Sequence, residues 1–288
     1  MKNTLHYDFM VRKLRSFFGQ KKGFIEVPTQ SRLSILAACE DPKTISQYEL
    51  ANQEYPLPQT GQVWLELELL KNPLWKGVFC LTTSYRNEPN VIEGRHQRIF
   101  PMFEFESFGD VEELKKLEAE LLMYLGFEHP KTILYEQACQ QYNCSQLEAE
   151  QEGYLKRDVG NVISLEKFPQ RSHPFWNMKR NPDGLYNKVD VILYGMETFG
   201  SAERSNDVDE MREQFFAVSD GQYAQILFER CGKERVMREL DEYLSLKFVP
   251  RFGAGIGLTR LERAMEIANL FDTTSYATQP SPIVECSL

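Results

Sequence analysis

YRNEPNVIEGRHQRIFPMFEFE, residues 85–106, is the stretch on which the reading of this chain turns. It opens with Arg86 and Glu88, passes through a polar, Gly-containing turn from Pro89 to Gly94, and continues with Arg95, His96 and Arg98. An alternating run follows. The pattern predicts strand, loop, strand, with Phe100, Met102, Glu104 and Glu106 on one face of the second strand and Phe103 and Phe105 on the other. Two carboxylates on the face that also carries Phe100 do not suit a plain core strand, because a buried carboxylate needs cationic or hydrogen-bonding partners. An exposed hairpin with a solvated charged face is the competing reading.

The second informative stretch is PRFGAGIGLTRLERAME, residues 250–266. Its alternating glycines, Gly253, Gly255 and Gly257, suit a strand that another backbone or a ligand approaches closely. Arg260 and Arg263 then share a face of the helix that begins there. A Gly-rich strand feeding a helix with an early Arg is a plausible phosphate site, and a tight strand–helix corner explains the same glycines.

The two stretches together resemble motifs 2 and 3 of the class II aminoacyl-tRNA synthetases, closest to the aspartyl/asparaginyl/lysyl branch. Residues 86–100 match the asparaginyl pattern except for one extra loop residue before Arg95. Residues 8–22 read as an amphipathic helix with Met10, Val11, Leu14, Phe17 and Phe18 in one stripe and Gly23 as its cap, followed by a strand closed by Pro28. That helix–strand unit resembles the family's motif 1, which builds a dimer interface. Cys39-Glu40-Asp41-Pro42 resembles the loop that closes over the amino acid, although Asp41 stands where the family usually has Gly. Leu-Pro-Gln-Thr-Gly-Gln, residues 57–62, resembles the substrate strand, with Gln62 at the position that contacts the amino acid. Aspartyl enzymes place a Lys three residues later, where this chain has Leu65; Glu66 follows, as in asparaginyl enzymes. Asp190 and Glu197 flank an apolar run, and Arg204 stands seven positions after Glu197.

The fold that this resemblance implies is α+β: the class II synthetase-like antiparallel sheet flanked by helices, as one catalytic domain over residues 1–288 with a variable helical insertion around 127–170. It implies the chemistry as well. Arg86 and Arg260 are the catalytic cations, Arg86 bridging the α-phosphate of ATP and the substrate carboxylate through its planar fork. Arg95 or His96, with Arg260, holds the terminal phosphates. Phe100 stacks on adenine and Glu88 accepts from its amino group. Asp190 and Glu197 hold Mg²⁺. Glu40, Gln62, Glu66, Glu104 and Arg204 surround a small polar amino acid, asparagine- or aspartate-like. The expected function is an ATP-dependent, AMP-forming ligase that makes an aminoacyl-adenylate. Asparagine synthesis from aspartate and ammonia is the alternative, and a non-catalytic dimeric regulatory paralogue is the alternative of another class.

Composition bounds the partners. The chain has 288 residues, 42% of them hydrophobic, and a formal charge of −9. It is acidic, with no run of five or more Lys or Arg, and so does not advertise nucleic-acid binding. The resemblance covers residues from about 8 to about 270 and leaves no room for the family's N-terminal anticodon-binding barrel. The chain is therefore expected to act as a standalone homodimeric core similar to archaeal asparagine synthetase-related proteins, with weak or absent tRNA binding. No apolar run approaches the ~20 residues of a membrane span. The N-terminus lacks a signal-peptide core, and six scattered cysteines fit a reducing cytoplasm.

Overall fold

The computed structural model describes residues 3–30, 33–36 and 42–271. Helix α1 (Thr4–Arg15), capped by the Asn3 side chain, continues into a π-helical segment, Ser16–Lys22, and stops at Gly23 with φ 73°. The predicted apolar stripe is buried along this length. The strand after it, β1 (Ile25–Glu26), is far shorter than residues 24–30 suggested, because it pairs on one side only, parallel to β4. A hairpin, β2 (Gln47–Leu50) and β3 (Gln53–Pro56), precedes α2 (Gln62–Lys71). Then come β4 (Gly77–Tyr85), β5 (Ile99–Phe108) and α3 (Val111–Leu125). The segment β6 (Lys131–Leu134), α4 (Tyr135–Tyr142), α5 (Ala149–Asp158) and β7 (Val162–Phe168) leads to β8 (Tyr186–Leu193) and β9 (Met196–Glu203). Helices α6 (Val208–Ala217), α7 (Gln222–Cys231) and α8 (Lys233–Leu244) precede β10 (Arg251–Gly257) and α9 (Leu258–Ile267).

Eight strands form one sheet in the order β1-β4-β5-β10-β9-β8-β7-β6. The outermost pairs, β1–β4 and β6–β7, are parallel and the ladders between them antiparallel. One face packs on α1, α3 and α9 and carries Phe103, Phe105, Val191, Phe199 and Ala254 in the main core. Phe18 stacks against Phe103 and Phe105 at centroid distances of 5.0 and 4.7 Å. The opposite face of the central strands carries the polar residues of the cleft described below. Helix α3 begins and ends where its sequence says: Asp110 and Glu113 form a capping box, and Gly126 closes it at φ 105°. Residues 127–170 are not a separate helical insertion. Two of their segments extend the sheet, and α4 and α5 pack on them through a small core of their own. No helix among the described residues is long and apolar enough to cross a membrane. His6, on α1, lies 3.5 and 3.3 Å from Glu262 and Glu266 of α9, tying those helices together.

One core residue makes stability depend on pH. Glu118 of α3 is 2% exposed, and its Oε1, unlike the rest of the carboxyl, has no hydrogen-bond partner among the described residues. Burial pushes its carboxyl up to about 8, a bond to Ser201 opposing and the charges of Asp190 and Glu166 adding to the rise. The folded state therefore keeps a proton that the unfolded chain releases above the ordinary carboxylate range. This contribution is lost as pH rises, at up to ~1.4 kcal/mol per pH unit. Glu118→Gln carries no such charge. Its stability advantage over the wild type, measured by urea unfolding, is expected to widen from about pH 5 to about pH 8; a gap independent of pH would contradict the assignment.

Candidate active site

Arg86 emerges from the end of β4. Its backbone N–H donates to the Arg98 carbonyl at 2.8 Å, closing the base of the loop, and its guanidinium lies 5.5 Å from the centre of the Phe100 ring. Within the loop, His96 Nδ1 is 3.7 Å from Glu88 Oε2. The alternation read from the sequence sets the next strand correctly, with the phenylalanines in the core and Glu104 and Glu106 on the other face. Both carboxylates are fully buried, so the exposed-hairpin reading fails for β5.

Both oxygens of Glu104 are engaged by neighbouring groups. It accepts from Thr60 Oγ1 at 2.5 Å, the Gly61 N–H at 2.8 Å and Thr82 Oγ1 at 2.7 Å. It thus anchors the N-terminus of α2 from beneath, where helix amides favour an anion. Burial raises its carboxyl above the ordinary range despite these bonds and the nearby Arg86 charge. Thr60 and Gln62 line the cleft above it.

Arg204, at the end of β9, is 2% exposed. Its Nη2 donates to Glu106 Oε1 at 2.5 Å and to Gln62 Oε1 at 3.2 Å, and its Nε reaches Glu106 Oε2 at 3.5 Å. Glu66 Oε1 is 3.8 Å from the same guanidinium. Glu66, however, is already engaged by Asn177 Nδ2 at 2.7 Å, Tyr243 Oη at 2.8 Å and Arg251 Nε at 2.9 Å. Two guanidiniums and two carboxylates thus lie together out of water. Burial lifts the Glu106 carboxyl, opposed by Arg204 and reinforced by Glu66. The alternating glycines of β10 make room for this network. A Cβ at Gly253 would stand 2.0 Å from Glu106 Oε1, and one at Gly255 would stand 2.9 Å from Gln62 Nε2. Side chains approach that strand closely, and its Gly255 and Gly257 line the cleft.

Asp190 and Glu197 meet through a bulge. Asp190 pairs with Gly200, and the β8–β9 register shifts between Val191 and Ile192, which turns Glu197 onto the cleft face. A Cβ on Gly200 would lie 3.3 Å from Glu197 Oε1 and 3.9 Å from Asp190 Oδ1, so the two carboxylates converge over a position that only glycine leaves open. Lys188 Nζ is 3.2 Å from Asp190 Oδ2. Arg260 Nη1 donates to the Glu197 carbonyl at 2.8 Å and reaches its Oε2 at 3.5 Å. Burial would raise the Glu197 carboxyl, but Arg260, Lys188, Arg86 and Arg95 together hold it below the ordinary range. An oxygen-only donor pair fits a hard divalent cation such as Mg²⁺.

These groups share one cleft of about 240 Å³. From the β4–β5 hairpin it is lined by Arg86, Glu88, Arg95, His96 and Phe100, and from the other elements by Gln62, Glu66, Glu197, Arg204 and Arg260. Asp190 lies just behind Gly200, and Glu104 beneath α2. Glu40 falls outside the described residues. Sequence reasoning did not single out Lys188, Glu106, Asn177 or Arg251 for the site. Lys188 had a signal, since it shares a strand face with Asp190 two residues on; the others become site residues only through contacts made far along the chain.

The sheet and this cleft together have the class II synthetase catalytic fold. The chain matches the class II tRNA synthetases of the D, K and N type over residues 1–274, and it belongs to that family. No curated protein matches it. Among solved structures, it is similar to the asparaginyl-tRNA synthetase of Pyrococcus horikoshii in complex with asparaginyl-adenylate, with a TM-score of 0.74 at 20% identity, covering 90% of this chain and 64% of that one. The Entamoeba histolytica asparaginyl-tRNA synthetase, also with asparaginyl-adenylate, gives 0.69 at 18% identity, covering 91% and 62%. The aspartyl-tRNA synthetase of the same organism gives 0.62 at 18%, covering 90% and 55%. The chain spans less than two thirds of the length of each of these structures.

Proposed function

We propose that the chain activates a small polar amino acid with Mg²⁺·ATP, forming an aminoacyl-adenylate and pyrophosphate. The observation that carries this reading is the convergence of Arg86, Phe100, Arg260 and Glu197 on one cleft, with Asp190 behind Gly200 at its wall. The substrate carboxylate attacks the α-phosphorus, a new O–P bond forms, and the bond to the β-phosphate breaks with its electrons leaving on pyrophosphate. No covalent help from the protein is needed, so its work is to align the reactants and offset charge. Arg86 holds the α-phosphate against the substrate carboxylate, and Arg260, with Arg95 or His96, takes the terminal phosphates. Phe100 and Glu88 receive the adenine. Asp190 and Glu197 would hold Mg²⁺, which when bound neutralises phosphate charge.

The side-chain end of the cleft supports a neutral polar amino acid. The charges of Arg204 and Arg251 are already matched by Glu106 and Glu66. A second carboxylate would unbalance that set, whereas an amide can accept from Arg204 and donate to a carboxylate. Asparagine is therefore favoured over aspartate, which weighs against asparagine synthesis. The test is a pyrophosphate-exchange screen over the twenty amino acids. Exchange with asparagine or a similar neutral polar residue is expected. Exchange with aspartate alone would reinstate the synthetase of asparagine, and no exchange with any amino acid would leave the regulatory paralogue.

A homodimer belongs to the same proposal. The unit α1–β1 presents Ile25, 42% exposed, on an edge strand only two residues long. A second copy of the chain covering this edge is expected to give a large C2 interface. Light scattering at micromolar concentration should return twice the single-chain mass of 33.6 kDa; the single mass would exclude it.

A further inference from the structure

Helix α5 lies in the segment that carries no motif, yet it reaches the cleft. Glu152, 9% exposed, accepts from Arg95 Nη2 through Oε1 at 2.5 Å and from the Glu197 backbone N–H through Oε2 at 2.8 Å. One carboxylate thus joins the loop that carries Arg95 to the turn that carries Glu197. The seat of α5 on that turn is close. A Cβ at Gly195 would lie 3.4 Å from the Glu152 carbonyl, from Gly153 Cα and from Lys156 Cβ, and Lys156 Nζ stands 5.9 Å from the Tyr194 ring. The loop is otherwise held mainly by its own contacts, such as Arg98 Nε donating to the Glu88 carbonyl at 3.0 Å and the His96 N–H to the Ile92 carbonyl at 2.9 Å. Residues 89–94 are exposed, and Arg95 is among the few loop residues drawn inward.

We infer that Glu152 is a positioning residue for the nucleotide: it holds Arg95 and the Glu197 turn at a fixed separation, so that phosphate binding depends on helix α5. The geometry favours support over competition. The contact uses a single terminal nitrogen of Arg95, and the guanidinium still lines the cleft. The second carboxylate oxygen is fixed by a backbone amide, so Glu152 stays in place when the nucleotide enters. Segment 127–170 is then part of the ATP site rather than an appendage to it.

The inference rests on the ATP-site reading above, and equilibrium binding of a fluorescent ATP analogue tests it without requiring any activated amino acid. Glu152→Gln keeps an acceptor for the Glu197 N–H and removes the charge that holds Arg95. Its affinity for the analogue is expected to fall about tenfold, the scale of a charge-assisted contact, with the thermal unfolding midpoint unchanged. Arg95→Gln should fall at least as far, and the double variant should bind no more weakly than Arg95→Gln alone, because Glu152 acts through Arg95. Wild-type affinity in Glu152→Gln, or additive losses in the double variant, overturns the inference. Tighter binding in Glu152→Gln would overturn it too, by showing that Glu152 competes with phosphate. A wild-type protein that binds no ATP analogue sinks the ATP-site reading itself, and the inference with it.

Discussion

Arg86→Ala is expected to abolish measurable pyrophosphate exchange while leaving the fold intact. The side chain is half-buried at the base of the β4–β5 loop, against Phe100, and its charge bears on both Glu104 and Glu197. A cation that meets the α-phosphate in a site shielded from water is worth about 3–4 kcal/mol of transition-state stabilisation, several hundredfold in rate or more. Lysine at this position should recover only part of the loss, because an ammonium cannot grip phosphate and carboxylate with one planar fork. Exchange within a few fold of wild type in Arg86→Ala, with folding confirmed by circular dichroism, would remove Arg86 from the chemistry.

Arg204→Leu has the second large effect, and it has two separable parts. It leaves Glu106 buried beside Glu66 with its main partner gone, a situation that costs about 3–5 kcal/mol of stability. It also removes the donor proposed to read the substrate side chain, weakening amino-acid use by ~2–4 kcal/mol. Adding Glu106→Gln removes the stranded carboxylate. The double variant should regain most of the stability, measured by urea unfolding, yet still lack the amino-acid preference of the wild type in exchange assays. Restored preference in the double variant would assign Arg204 a purely structural part.

What was legible in the sequence is what is encoded locally. The alternation from Phe100 to Glu106 fixed which residues of β5 face the core, because a strand has period two whatever it pairs with. Asp110 and Gly126 marked the ends of α3 for the same reason: caps satisfy the backbone within one turn. Residues 127–170 misled because β6 and β7 form a parallel pair at the far end of the sheet, a crossover through α4 and α5 that no local period announces. The role of Glu66 could not be read either. Its partners Asn177, Tyr243 and Arg251 come from a loop, α8 and β10, and they bury a carboxylate that also lines the cleft. Helices α7 and α8 are separated at Gly232, whose φ of 83° a helix cannot continue.

The charge network beneath the side-chain end of the cleft also bears on redesign. Glu106, Arg204, Glu66 and Arg251 come from β5, β9, α2 and β10, and the glycine at position 253 is fitted to one of them. Changing any one of the four alone strands a charge in the interior before it offers a new substrate anything. Redesign of this end of the cleft therefore calls for paired, charge-conserving exchanges, and a library that samples one position at a time is expected to return mostly destabilised chains.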